Sequence, residues 1–369
     1  MMIPVNTPLF AGKEKKYLQQ CIESGWVSSE GPFVKKFELN MAKYIGRKYA
    51  TACSSGTAAI EVAIRALELQ KGDEVIMPTF TIISCAQSLI SNGIKPVFVD
   101  CDYKSFNMKV DDINLKMTSK TKAIMIVHIF GLAVDLDPIL KLAKKKNLIV
   151  IEDAAEMHGQ EYKGKKCGSF GDISIFSFYS NKHITTGEGG MVLTNNKKLD
   201  NKCKSLRNLC FTKNRFVHNS LGFNYRMTNL QAAVGVAQLE KINFIIKKKR
   251  WIGYIYNKLL KDLQTINLPI VKTAYCENIY WVYAITLKDN FRKTAKQIIR
   301  ELSYYKIGAR PFFYPMHKQP VFNKMNLFLN DKHPNSEKLY KKGFYIPSGL
   351  ALSENQIVKV SRVLCKILK

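Results

Sequence analysis

Between residues 48 and 195 short apolar runs alternate with helix-period stretches, and this rhythm admits few architectures. "YATAC" precedes the helix-like "GTAAIEVAIRALEL", and "EVIMP" precedes another helical stretch. "PVFVD", "AIMIVH" and "LIVIED" follow, with "DPILKLAKKKN" as a helix before the last. Strand-length runs separated by helices predict a mostly parallel sheet covered by helices. A long helical pattern at 229–250, "NLQAAVGVAQLEKINFIIKKKR", then leaves the sheet region. Beyond it "YWVYAITL" reads as a strand, "KTAKQIIRELSYYK" as a helix and "GARPFFYPMH" as an irregular aromatic loop. The change of texture places a domain boundary near residue 250. Residues 1–250 are expected to form a large α/β domain with an N-terminal arm, and 251–369 a smaller α+β domain.

Composition removes several function classes. The longest apolar runs fall short of the ~18–20 residues a membrane span requires, and the N-terminus lacks the apolar core of a signal peptide. Nine dispersed cysteines without a C-x-x-C pair favour reduced thiols in a cytoplasmic protein over a disulfide framework. Six equally dispersed histidines argue against a structural metal, so no metal site is expected. The net charge of +28 invites a nucleic-acid reading. Its lysines are spread in clusters such as "LAKKKN" and "LYKKGF" beside apolar helical stripes, which fits a solvated surface better than a binding patch. Such a surface also attracts an anionic small substrate such as a nucleotide diphosphate.

Three stretches carry chemistry. Ser54-Ser55-Gly56-Thr57 lies between a strand and a helix, where free N–H groups of the first turn can seat an anion or the serines can simply cap the helix. Asp153 ends the buried-looking run "LIVIED", at the strand end where open α/β sheets bind ligands. It serves either as a helix N-cap or as a carboxylate paired with a protonated ring nitrogen. Lys182 follows the run Ile173–Phe178 and precedes the glycine-rich bend Thr185–Gly190. In a desolvated site its amine becomes a nucleophile toward an aldehyde; otherwise it is an ordinary loop lysine. Ser177 could donate to a phosphate from the same turn. The bend itself fits neither the dinucleotide-binding nor the P-loop pattern. Together, a phosphate seat, a strand-end acid and a lysine on a tight turn are the parts that pyridoxal 5'-phosphate requires.

The chain resembles the DegT/DnrJ/EryC1/StrS sugar aminotransferases, fold-type I pyridoxal-phosphate enzymes. The resemblance runs nearly end to end. It is carried by "SGWVSSEGPFVKKFE", "SSGTAAIEVA", "GDEVIMPTFT", "EDAAEMHGQEYKGKKCGSFGDISIFSFYSNKHITTGEGGMVLTN", "GFNYRMTNLQAAVGVAQLEKI" and "RPFFYPMH". It implies that Lys182 is the Schiff-base lysine, that Asp153 pairs with the pyridine nitrogen and that Glu156 lies near the ring hydroxyl. Gly56, Thr57 and Ser177 would hold the phosphate. Asn224 would reach the phosphate in a neighbouring subunit, making a homodimer with shared sites obligatory. Ile82 stands where relatives carry an aromatic that stacks on the ring, so ~0.5–1.5 kcal/mol of stacking would be lost there. Trp26, His183, Arg310 and His317 are candidates for the sugar-nucleotide pocket, with core packing the other role open to them. A related branch carries histidine in place of the lysine and dehydrates its substrate. Here Lys182 is present and His183 follows it, which implies transamination.

The implied reaction is a ping-pong transfer from L-glutamate to a nucleotide-linked 4-keto-6-deoxy sugar, giving a 4-amino-4,6-dideoxy sugar. GDP-4-keto-6-deoxy-D-mannose is the first expectation for the acceptor, and the product would then belong to surface polysaccharide such as O-antigen. The alternatives are UDP- or dTDP-4-keto-6-deoxyglucose, a 3-keto sugar, or a silent sugar-nucleotide-binding relative.

Overall fold

In a computed structural model, residues 2–214 and 216–368 are described. Seven strands form the main sheet, in the spatial order Tyr49–Cys53, Gly190–Thr194, Ile173–Ser177, Ile149–Asp153, Thr121–Val127, Glu74–Pro78, Lys95–Val99. The five strands from Ile173–Ser177 to Lys95–Val99 run parallel, whereas Gly190–Thr194 is antiparallel to both neighbours. The reversal follows from connection length: the bend after Lys182 is too short for a crossover helix, so the chain returns beside the strand it left.

Successive side chains of each strand point to opposite faces, and the core divides accordingly. Ile124 and Ile126 pack with Val150, Phe176 and Leu193 on one face. Ala123, Met125 and Val127 pack with Ile151, Ile175 and Val192 on the other. Helices Pro32–Ile45, Leu136–Lys146 and Asn229–Glu240 supply apolar residues to the first face. Gly56–Ala66 and Ile83–Ser91 supply them to the second. Burial on both faces explains why runs such as "AIMIVH" and "PVFVD" read as nearly continuous apolar stretches, whereas Ile173–Phe178 is interrupted by Ser174 and Ser177.

The long helical pattern predicted over 229–250 is two helices. Asn229–Glu240 ends at Lys241 (φ −105°, ψ 7°), and Ile242–Leu260 begins directly after it. Apolar residues continue on both sides of the break because each helix buries its own stripe, so periodicity did not reveal it. A second, antiparallel sheet orders Ile266–Asn267, Tyr283–Leu287, Gly343–Ile346 and Arg310–Pro311. It packs with Ile242–Leu260, Ala295–Tyr304 and Glu354–Leu368 in a separate apolar cluster. The first residues join this cluster: Ile3 bridges Ile307, and the Ser348 N–H donates to the Val5 carbonyl at 3.0 Å. Among the described residues no helix is long and apolar enough to cross a membrane.

Candidate active site

Parallel strands end together, and loops leaving that edge can converge on one point. Here they enclose a cavity of about 320 Å³, lined among others by Gly56, Thr57, Ile82, Asp153, Glu156, Ser177 and Lys182. Seven residues drawn from four separate stretches of sequence thus meet in one place.

The helix Gly56–Ala66 points its N-terminus into the cavity. Ser55 caps it, its Oγ accepting the Ala58 N–H at 3.1 Å, which leaves the first-turn N–H groups of Gly56 and Thr57 outside that cap. Gly56 lies so close to Ser177 that an added Cβ would sit 2.8 Å from the Ser177 Cβ. Thr57 Oγ1 is 2.8 Å from Ser84 Oγ. The result is a small concave surface of N–H and hydroxyl groups, suited to an anion.

Asp153 is buried at the end of its strand. Its Oδ1 accepts the Ala155 N–H at 3.0 Å, and its Oδ2 accepts the Cys85 thiol at 3.1 Å. Burial pushes its pKa up, against these donors and the more distant Lys182. A carboxylate in this position gains from a cation placed opposite it.

Lys182 owes its position to the bend that follows it. The Thr186 N–H and the Thr185 Oγ1 both donate to the Phe178 carbonyl at 3.0 Å, and Gly187 takes φ +82°, a conformation costly for other residues. Gly190 then returns against the helix start, where an added Cβ would sit 2.1 Å from the Ser55 carbonyl oxygen. The tight bend thereby clamps the lysine over the strand ends. Lys182 Nζ lies 4.0 Å from Glu156 Oε1 and 4.1 Å from the centre of the Trp281 ring. Burial lowers the amine's pKa, and the carboxylates of Glu156 and Asp153 oppose that shift. Glu156 is pushed up to about 8, chiefly by burial, although Oε2 accepts the Phe130 N–H at 2.6 Å. Burial thus moves the two groups toward one another, the carboxyl upward and the amine downward.

His128 also lines the cavity. Its Nδ1 accepts the Val134 N–H at 3.1 Å, so Nε2 carries the proton and donates to Glu152 Oε1 at 3.2 Å. Glu152 in addition accepts the N–H groups of Gly168, Phe170 and Gly171. His128, Glu152 and Cys167 lie within 4.8 Å of one another, but those donors already occupy the histidine and the carboxylate.

The other sequence candidates take varied positions. Ile82, 47% exposed, sits at the cavity edge as the N-cap of Ile83–Ser91. Asn224 is exposed, bridged to Asn208 and outside its own chain's cavity. Trp26 is half exposed and away from the cavity, its carbonyl accepting from Asn229 Nδ2 at 2.6 Å. His183 is buried beside the Ile279 carbonyl, 3.2 Å from Nε2, and burial keeps its ring neutral. His317 is buried between Thr79 Oγ1 at 2.8 Å and Glu337 Oε1 at 3.0 Å. Neither histidine lines the cavity. Arg310 is exposed, but it pairs in register with Tyr345, which does line it.

Sequence reasoning missed Trp281, Tyr345, Phe313, Asn181, Ser84 and Cys85. Trp281 and Tyr345 lie on or next to strands that carry no local sign of the cavity. Cys85 was one of nine scattered cysteines.

Comparison with known proteins agrees with this geometry. Residues 9–365 match the model of the DegT/DnrJ/EryC1/StrS aminotransferase family. The chain is 42% identical to GDP-perosamine synthase of Escherichia coli O157:H7, over 97% of this chain and 96% of that protein. It is 40% identical to GDP-perosamine synthase of Vibrio cholerae, over 97% of each. The fold superposes on Helicobacter pylori PseC, an aminotransferase involved in the biosynthesis of pseudoaminic acid, with a TM-score of 0.94 and 26% identity, covering 100% of this chain and 99% of PseC. With the family model matched over residues 9–365 and relatives 40% and 42% identical over nearly the whole chain, the chain belongs to the DegT/DnrJ/EryC1/StrS aminotransferase family.

Proposed function

We propose that this protein uses pyridoxal 5'-phosphate to transfer the amino group of L-glutamate to GDP-4-keto-6-deoxy-D-mannose, forming GDP-perosamine. The observation that carries the reading is the meeting of Lys182, Asp153 and the Gly56–Thr57–Ser177 corner in one cavity. The sugar and its nucleotide rest on the two relatives named GDP-perosamine synthase, each about as long as this chain.

The residues fit the cofactor. The close approach of Gly56 to Ser177 brings backbone N–H and hydroxyl groups together at the helix start, which suits a phosphate, and buried Asp153 suits a protonated ring nitrogen. When bound, the cofactor supplies an electron sink for the carbon that loses its proton. The chain's own residues then have distinct tasks. Gly56, Thr57 and Ser177 would hold the phosphate, and Ile82, at the cavity edge, would supply an apolar contact for the ring. Asp153 would keep the ring nitrogen charged, because losing that proton would leave a buried carboxylate without a cation opposite it. Glu156 holds a proton close to Lys182. Lys182 Nζ, with its pKa lowered by burial, takes the proton from the donor's α-carbon and returns a proton at C4 of the sugar.

A homodimer with shared sites belongs to the same reading, with Asn224 of one copy completing the phosphate seat of the other. Its exposure, outside its own cavity, leaves it available for this role. A cytoplasmic location is also proposed, and nine free cysteines support a reducing compartment. The test is an absorbance spectrum of purified protein before and after L-glutamate, followed by turnover with GDP-, UDP- and dTDP-linked 4-keto-6-deoxy sugars. A visible cofactor band bleached by glutamate, with turnover greatest on the GDP-mannose derivative, is expected. No band after supplying the cofactor would refute the chemistry, and preference for another nucleotide sugar would refute the acceptor.

A further inference from the structure

Trp281 lies 99 residues beyond Lys182 in the sequence, yet its ring closes one side of the lysine amine at 4.1 Å. It is almost wholly buried while still lining the cavity. Three contacts fix it. The indole Nε1–H donates to the Asn181 carbonyl, one residue before Lys182, at 3.0 Å. The Trp281 carbonyl accepts Lys249 Nζ at 2.8 Å, and the same amine donates to the Ser348 carbonyl at 2.7 Å. The backbone is also wedged at Gly131, where an added Cβ would sit 2.6 Å from the Trp281 N. A ring held this firmly against an amine is more than filling.

We propose that Trp281 is a positioning residue for Lys182: its indole face is the platform on which the free lysine ammonium rests whenever the lysine is not bonded to the cofactor. The inference rests on the aminotransferase reading above and adds to it a resting place for the base between proton transfers. An indole face attracts a cation and does so most strongly away from water. The contact therefore favours the protonated amine and partly offsets the burial that lowers the Lys182 pKa. The groups facing this amine are Glu156, Asp153 and Cys85, together with the rings of His158 and His183, which burial keeps neutral. Glu156, Asp153 and Cys85 favour the ammonium and are themselves titratable, whereas the indole that lies against it is not.

The test uses apoprotein mixed with pyridoxal 5'-phosphate at a series of pH values, with the rate of adduct formation at Lys182 read by absorbance. The rate rises with pH as the amine loses its proton, so its midpoint reports the lysine. Biosynthetic incorporation of mono-, di- and trifluorotryptophan withdraws charge from the ring face without changing its shape. Trp26 and Trp251 are half and one-third exposed and lie away from this amine, so the substitution acts on Lys182 through Trp281. The midpoint should fall in step with fluorine number, reaching about one pH unit for the most fluorinated ring. The Trp281→Phe variant should fall between wild type and Trp281→Leu, and the fluorinated proteins keep the test available if Trp281→Leu does not fold. A midpoint that ignores fluorine, even if it moves in Trp281→Leu, would show ordinary packing and overturn the proposal. If no adduct forms in the wild type, the aminotransferase reading falls and this inference falls with it.

Discussion

Replacing Gly56 with alanine tests the phosphate corner without touching a titratable group. Alanine is the better helix former, by up to about 1 kcal/mol in a helix interior, and Gly56 begins a helix in a conformation open to any residue. On propensity alone the variant would be slightly more stable. The new methyl group, however, would lie 2.8 Å from Ser177 Cβ and 3.0 Å from its Oγ, well inside the ~3.5–4.0 Å of a normal carbon contact. Ser177 cannot withdraw easily. It ends a strand paired on both sides, opposite Gly190, and Gly190 is itself pressed against Ser55. Overpacking of this kind costs about 1–3 kcal/mol, which exceeds the helix gain and leaves a net loss of ~0.5–2 kcal/mol. For a chain of this size that lowers the melting temperature by a few degrees, at ~2–4 °C or less per kcal/mol. Affinity for pyridoxal 5'-phosphate should fall at least about tenfold, since the methyl group would push the Ser177 hydroxyl out of the proposed phosphate seat. The assays are thermal unfolding of the apoprotein and a cofactor titration, completed by a double-mutant cycle with Ser177→Gly. The cycle should show a favourable coupling of about 1 kcal/mol or more. An apo Gly56→Ala protein as stable as wild type, with unchanged cofactor affinity, would refute both the clash and the seat.

Lys182→Ala should abolish turnover while leaving the melting temperature of the apoprotein within a few degrees of wild type; measurable normal turnover would overturn the mechanism. Cys85→Ala removes the thiol donor from Asp153 Oδ2, so the pKa of Asp153 should rise and cofactor affinity drop several-fold, at ~1 kcal/mol for one hydrogen bond. Cys85→Ser keeps a donor and should restore most of the affinity; equal titrations for the two variants would refute a role for the bond. Burial lowers Lys249 to about 7, below the ordinary lysine value of ~10.4 expected in the unfolded chain. The unfolded state therefore binds more protons between these values, and wild-type stability should rise with pH from about 7 to 10 relative to Lys249→Met. Urea unfolding curves that stay parallel over that range would contradict the burial argument. If Asn224 completes a neighbour's site, mixing Lys182→Ala and Asn224→Asp subunits should restore activity to about a quarter of wild type, because half the dimers are mixed and each carries one intact site. No recovery in mixed dimers would show that Asn224 is not shared.

Features governed by neighbouring residues were legible in the sequence. The strands Tyr49–Cys53, Glu74–Pro78, Ile149–Asp153 and Ile173–Ser177 announce themselves because strands buried on both faces are mostly apolar. The helix start after Ser55 and the bend after Lys182 were legible because caps and turns demand particular residues at fixed offsets. The long-range parts were not. The end of a helix at Lys241, the thiol of Cys85 on Asp153 across 68 positions, and the ring of Trp281 on Lys182 depend on which surfaces meet after folding. The opposite shifts of Glu156 and Lys182 are likewise a property of the cavity, since burial moves both groups and no short stretch of sequence states how deeply its side chains lie. Local pattern thus determined the strands, the turn and the residues able to do chemistry. Tertiary structure decided which of them share a desolvated space, because desolvation and contact are set by elements far apart in the chain.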